Sequence, residues 1–214
     1  IINSRTDERR ENKYGKAMFS RRNRKGVTLE DAQRLLKSRP YFAAQMVAAG
    51  DAEGLLGGVS RNYADVLRPA LQLTGKDEHA HCLVGSYMMS VKGKLMFLAD
   101  ATVNVYPDAR TLAEICVQTA GVARRFGVKP RIAMLSFSNF GSGTEHRTAR
   151  LEEAISLARQ IEPGIEIDGP MQADTALDES IQKEYEFMSL PGPANVLVCP
   201  NLASANIAYK LLQK

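Results

Sequence analysis

The sequence predicts an α/β protein with three αβα layers: a mostly parallel sheet, helices on both of its faces, and one antiparallel hairpin. Two patterns predict it. From Pro107 onward, segments with helical apolar spacing alternate with short apolar runs, in the order helix, strand, helix, strand, helix, strand, helix. Ahead of that alternation, the apolar runs Cys82 to Ser90 and Lys94 to Ala99 are split at Lys92-Gly93-Lys94, the spacing of a hairpin.

The elements follow in order. Residues 7–24 are polar and basic and predict a helix that ends near Lys25-Gly26. Thr28 with Asp31 three positions on forms a capping box ahead of Leu29, Ala32, Leu35 and Leu36. Pro40 opens a helix from Tyr41 to Ala49 that Gly50 stops. Glu53 to Val59 reads as a short glycine-rich strand. Asn62 to Leu73 reads as a helix that Pro69 bends or divides at Arg68. Pro107-Asp108 starts a helix running to Phe126, and Arg131 to Phe137 is a strand. Then come a helix from Thr148 to Ile161, a strand from Ile165 to Ile167, a helix from Gln172 to Tyr185, a strand from Asn195 to Cys199 and a helix from Leu202 to Gln213. The organisation read from this is a first part, 1–106, of basic helices plus mixed sheet, and a second α/β part, 107–214. The chain opens at Ile1 without an initiator Met and stops at Lys214 within a helix, so a longer protein is expected at both ends.

Composition narrows the function classes. The hydrophobic share of 44% and charged share of 24% suit a globular core, and no apolar run approaches the roughly 20 residues of a membrane span. Cys82, Cys116 and Cys199 lie singly in apolar elements, without metal spacing, which predicts buried thiols in a reduced, cytoplasmic protein. The net charge of +4 is uneven: residues 1–39 carry 12 basic and 5 acidic residues, a surplus of +7. Such a surplus suits a solvated helix face or a phosphorylated small molecule. Nucleic acid is disfavoured, because no aromatic residues interleave with the arginines. His79, His81 and His146 read as surface or capping residues. No Gly-x-Gly-x-x-Gly fingerprint appears, and no carboxylates are grouped at a metal spacing.

In an open parallel sheet, ligands bind at the carboxyl ends of the strands. Three strand ends here carry loops of small and polar residues that precede helices. The first holds Ser136, Ser138, Asn139, Gly141 and Ser142. The second holds Asp168, Gln172 and Asp174, and the third Asn201 and Asn206. Helix N-termini and free N–H groups at such loops favour an anion. Asp168, Asp174, Asn201 and Asn206 have a second reading as caps and turn formers. Arg22 and Arg68, in the first part, are the candidate cations.

Six ordered segments carry a resemblance. They are Lys25 to Ala32, Tyr63 to Gln72, Asp100 to Asn104, the Ser136 loop, the Asp168 loop, and Pro200-Asn201-Leu202 with Asn206 to Lys210. Together they resemble the phosphate acetyltransferase and butyryltransferase family over nearly the whole chain. Phe137 to Ser142, Met171 to Asp174 and Ala205 to Tyr209 look like the version fused to the C-terminus of bacterial NADP-dependent malic enzymes. Asn139, Ala173 and Ala205 stand where free-standing acetyltransferases more often have Thr, an aromatic residue and Gly.

The resemblance implies an isocitrate/isopropylmalate dehydrogenase-like fold with two lobes around a cleft. It also implies acetyl-CoA or coenzyme A as ligand, acyl-CoA and phosphate-type small molecules as partners, and a homo-oligomer. Arg22, Arg68 and the loop residues above become the coenzyme A and phosphate site. The family's Ser-Arg catalytic pair belongs to sequence that would follow Lys214. NADP and a divalent metal belong only to a malic-enzyme part that would precede Ile1. The leading expectation is a regulatory acetyl-CoA-binding domain without full transferase activity. The alternatives are an active phosphate acyltransferase and a purely structural domain.

Overall fold

The computed structural model describes residues 2–141 and 148–214. It divides into two compact units, Ile1–Asp77 and Glu78–Lys214. That division differs from the 106/107 boundary read from sequence because the hairpin belongs to the same sheet as the later strands.

The first unit is helical. Helix α1 spans Lys13–Arg22, α2 Leu29–Leu35, α3 Arg39–Ala48 and α4 Tyr63–Leu73. The Thr28 capping box forms as expected. Its hydroxyl accepts the Asp31 N–H at 3.1 Å, and the Asp31 carboxylate accepts the Thr28 N–H at 3.3 Å. Tyr14, Met18, Leu36, Phe42 and Leu73 make the core, with the Tyr14 and Phe42 rings edge-on at 5.2 Å. The Tyr14 hydroxyl donates to Asp51 at 2.5 Å. One expectation is corrected here and one is narrowed. Residues 53–59 form no strand, and Leu56 and Val59 are fully exposed, so no neighbouring strand or core uses them. Pro69 does not divide α4. Buried Leu73 and the 2.9 Å hydrogen bond from Tyr41 to Gln72 hold the turn beyond the proline in place.

The second unit is a five-stranded sheet: β1 Tyr87–Val91, β2 Lys94–Ala99, β3 Ile132–Leu135, β4 Ile167–Met171 and β5 Val196–Val198. The strand order is β1-β2-β5-β3-β4, with β1 antiparallel to β2 and all other pairs parallel. The hairpin turns through Lys92 and Gly93, both at positive φ (50° and 76°), as a two-residue turn of primed type requires. Five helices accompany the strands: α5 Ala109–Arg125, α6 Ala149–Ile161, α7 Ala173–Leu177, α8 Glu179–Gln182 and α9 Leu202–Leu212.

Strand residues alternate between two cores. Phe97, Ala99, Ile132, Met134, Val196 and Val198 face α5 and α6. Leu98, Ala133, Leu135, Leu197 and Cys199 face α7 and α9. Both faces are therefore buried, which is why these strands are apolar throughout.

Two further boundaries are corrected. The fourth strand extends to Met171 and includes Gly169-Pro170, which sequence reasoning placed in a loop. Strand β4 lies at the sheet edge, where a missing proline N–H breaks no ladder bond. The expected helix from Gln172 to Tyr185 is two short helices. Asp178 caps the second by accepting the Ser180 N–H at 2.8 Å, so the chain restarts instead of continuing.

Candidate functional site

The sheet topology places a crevice. Neighbouring strands β3 and β5 lead to α6 and α9, and those helices pack on opposite faces. Where successive helices lie on opposite faces of neighbouring strands, a ligand-sized opening forms at the carboxyl ends of the strands. A cleft of about 610 Å³ lies there. Leu135, Phe137, Leu151 and Ala208 make its apolar wall, while Ser136, Arg150, Asn201 and Ser204 supply polar groups.

Each loop is held by its own hydrogen bonds. Asn201 caps α9 by accepting the Ser204 N–H at 2.9 Å, and the Ser204 hydroxyl donates to the Asn201 carbonyl at 2.9 Å. Arg150 donates to the carbonyls of Pro107 at 2.7 Å and Pro200 at 3.1 Å, tying α6 to the loop after β5. Asn139 and Gln172 lock the other two loops together. The Asn139 carbonyl oxygen accepts the Gln172 N–H at 2.7 Å, and its amide donates to the Gln172 side chain at 3.1 Å and to the Tyr185 hydroxyl at 3.0 Å. Gln172 in turn donates to the Phe137 carbonyl at 3.0 Å.

The sequence-named residues thus fall into groups. Ser136 and Asn201 line the cleft. Asn139 and Gln172 fix the loops beside it. The Ser138 hydroxyl is buried without a hydrogen-bond partner among the described residues. Gly141 adopts φ 74° at the end of the first loop, and Ser142 lies outside the described residues, as does His146. Asp168 is on β4, and its carboxylate accepts the N–H of Ser189 at 2.6 Å and of Gly169 at 2.8 Å. It clamps the segment before β5. Asp174 is exposed in the first turn of α7 and accepts the Thr175 N–H at 2.9 Å. Asn206 is half-buried on α9. Arg22 and Arg68 belong to the first unit, at the end of α1 and within α4.

Sequence reasoning missed Arg150, and a signal was present. A cation in the first turn of a helix opposes the helix dipole, so it needs another reason to be there. Cys199 also lines the cleft. Burial pushes its thiol up to about 12, against a weaker opposing effect of its hydrogen bond with Ser204, so it is no thiolate near neutrality. Burial likewise raises the Cys116 thiol.

A fourth strand end is already filled. After β2, the 2%-exposed Asp100 accepts N–H groups from Thr102 at 2.8 Å, Val103 at 3.1 Å, Gly85 at 3.3 Å and Asn104 at 2.8 Å. The Asn104 side-chain amide adds a fifth donor at 2.5 Å. Among the described residues, no group of three or more His, Cys, Asp or Glu could hold a metal ion, and no helix is long and apolar enough to cross a membrane.

With this geometry in place, comparison with known proteins is informative. The family profile described as phosphate acetyl/butaryl transferase matches residues 1–214. The NADP-dependent malic enzyme of Rhizobium meliloti (strain 1021) is 38% identical over 215 residues, which cover 100% of this chain and 28% of that protein. The phosphate acetyltransferase of Corynebacterium glutamicum is 34% identical, covering 100% of this chain and 65% of that protein. Among solved structures, the EutD phosphotransacetylase from Staphylococcus aureus superposes with a TM-score of 0.87 at 36% identity, over 99% of this chain and 65% of that one. The chain spans less than two thirds of the length of these curated relatives.

Proposed function

The chain belongs to the phosphate acetyl/butaryl transferase family, and we propose that its second unit binds the acyl end of acetyl-CoA in the cleft between the β3 and β5 loops. The observation that carries this reading is the mixed lining of that cleft. Leu135, Phe137, Leu151 and Ala208 suit a short acyl group and a thiol arm, and Ser136, Asn201, Ser204 and Arg150 suit a carbonyl or phosphate oxygen. Arg150 uses two of its N–H groups on Pro107 and Pro200 and keeps others for a ligand. Ser138, with its buried hydroxyl, together with Arg22, Arg68 and the remaining loop residues named from sequence, completes the proposed coenzyme A and phosphate site.

In the full protein, this domain serves as an acetyl-CoA sensor attached to a malic-enzyme part. The physical basis is a difference in acetyl-CoA affinity between two states of the enzyme. The fused-type residues Asn139, Ala173 and Ala205 support that context. Asn139 holds loops together through Gln172 and Tyr185. The free, buried thiols of Cys116 and Cys199 fit a reduced, cytoplasmic setting.

The likeness to acetyltransferases supports a second reading, active acyl transfer. The coenzyme A sulfur bonds to the acyl carbon of an acyl phosphate. The carbon–oxygen bond to phosphate breaks, phosphate leaves with that electron pair, and a base takes the thiol proton. Hydroxyls, amides and guanidinium groups at the cleft would stabilise charge on the acyl oxygen and the departing phosphate.

Calorimetry of the full-length protein with acetyl-CoA, beside assays of malate oxidation and of acetyl phosphate formation, separates these readings. Saturable acetyl-CoA binding that alters malate oxidation supports the sensor. Acetyl phosphate formation supports the transferase, and the absence of acetyl-CoA binding refutes both.

A further inference from the structure

The first unit gathers part of the basic surplus of the first 39 residues around one hollow, whose lining includes neither Arg22 nor Arg68. Arg5, Lys37, Arg39 and Arg61, with Ser4 and Ser38, line a concavity of about 910 Å³. An adjoining hollow of about 620 Å³ shares Arg39 and Arg61 and adds Ser60, Asn62 and Asp65. The walls come from three places in the sequence, and local bonds fix them. The Ser4 hydroxyl is buried and donates to the Lys37 carbonyl at 3.0 Å, pinning the N-terminal segment to the α2–α3 connection. The Ser38 N–H donates to Leu35 at 2.9 Å, which sets the start of the ten-residue helix α3 in the wall. Ser38 caps that helix without a side-chain hydrogen bond, so its hydroxyl remains available.

The four cations are set apart by lining one concavity. Some basic residues of this unit have acidic partners: Arg9 with Asp7 at 2.8 Å, Lys13 with Asp51 at 2.7 Å, and Arg34 with Asp31. Arg5, Lys37, Arg39 and Arg61 have no ion-pair partner among the described residues, and the nearest acidic lining residue is Asp65 in the adjoining hollow. Like charges gathered around one concavity repel one another and add up to a positive potential in the space they enclose. An anion there relieves the repulsion. Three guanidinium groups match phosphate oxygens in paired N–H geometry, and Lys37 adds a point charge. The hollow is larger than one phosphate needs and falls in the range of small-molecule sites.

We propose that this basin binds a small molecule carrying two or more phosphate groups, through Arg5, Lys37, Arg39 and Arg61. The proposal is independent of the acyl-cleft reading, because the lining includes none of the residues placed in the coenzyme A and phosphate site.

The test is calorimetric titration of the full-length protein with inorganic pyrophosphate, with orthophosphate, sulfate and acetyl-CoA as separate titrants. The expected result is saturable pyrophosphate binding at one site per chain, tighter than for either smaller anion. The double substitution Arg39→Gln with Arg61→Gln should weaken it by about tenfold or more while changing acetyl-CoA binding by less than about twofold. Circular dichroism melting checks that the variant folds. If it does not, the single substitutions Arg5→Gln and Lys37→Gln, at exposed positions, should each weaken pyrophosphate binding by about threefold. The proposal is overturned by no saturable heat, by equal affinity for sulfate, by variants that bind pyrophosphate like the parent, or by joint loss of pyrophosphate and acetyl-CoA binding.

Discussion

Replacing Asp100 with Asn should destabilise the second unit far more than its isosteric shape suggests. The carboxylate is 2% exposed and takes five donors, three on one oxygen and two on the other. An amide offers only one acceptor oxygen. Whichever way it is turned, at least two of those donors meet an NH2 group instead. Each buried donor left without a partner costs about 1–3 kcal/mol, so the substitution should cost about 2–6 kcal/mol. In a domain of this size each kcal/mol lowers Tm by about 2–4 °C, so a drop of about 10 °C is expected. Differential scanning calorimetry on Asp100→Asn, with Asn104→Ala as comparison, measures it. Asn104→Ala keeps the Asn104 backbone bond and removes the side-chain bonds to Asp100 and Leu83, so it should cost less, about 1–2 kcal/mol. A Tm for Asp100→Asn within about 2 °C of the parent, or a larger loss for Asn104→Ala, would refute the reasoning.

Three further outcomes are expected. Burial first, and then its bond to Asp51, push the Tyr14 hydroxyl up to about 12 from an ordinary value of 10.0. A raised acid contributes stability that is whole below pH 10 and is lost as pH rises towards 12. Urea unfolding at pH 9 and pH 11 should therefore show the stability advantage of the parent over Tyr14→Phe shrinking at the higher pH. An unchanged or growing difference contradicts this. A double-mutant cycle of Asn139→Ala and Gln172→Ala should give a coupling of about 0.5–2 kcal/mol in thermal or urea unfolding, and additivity would deny the loop lock. Arg150→Gln should weaken acetyl-CoA binding by about tenfold in calorimetry, because the Pro200 carbonyl loses its charged donor and the β5 loop its tether. Undiminished affinity would remove Arg150 from the site.

Much of the framework was legible because its signals are local. The Thr28 and Asp108 caps and the Lys92-Gly93 turn each depend on a few adjacent residues, and each forms where the sequence puts it. The alternating strands and helices after Pro107 were legible for a similar reason, since both sheet faces are covered and every strand reads as continuously apolar. What failed depends on distant partners. Leu55, Leu56 and Val59 have strand-like character, but no other strand runs beside them. Gly169 looks like a loop residue until Met134 is seen: a Cβ on Gly169 would lie 2.6 Å from the Met134 carbonyl oxygen, so the glycine allows β3 and β4 to close together. The same limit applies at the site. Residue type singled out Ser136 and Asn201, which line the cleft, yet it could not tell that Asp168 would be engaged by Ser189 or that Asn139 and Gln172 would satisfy each other. Arg150 went unnoticed because its partners, Pro107 and Pro200, are about forty and fifty positions away.

The divergence of α6 and α9 from neighbouring strands gives any molecule in the β3–β5 crevice a mechanical role. Leu151 and Arg150 grip it from the layer on one side of the sheet, and Ser204 and Ala208 grip it from the layer on the other. Such a guest acts as a rivet through the sandwich. Two helical layers fastened to the same body resist sliding against each other, so occupancy at one end of the sheet becomes stiffness across its whole thickness.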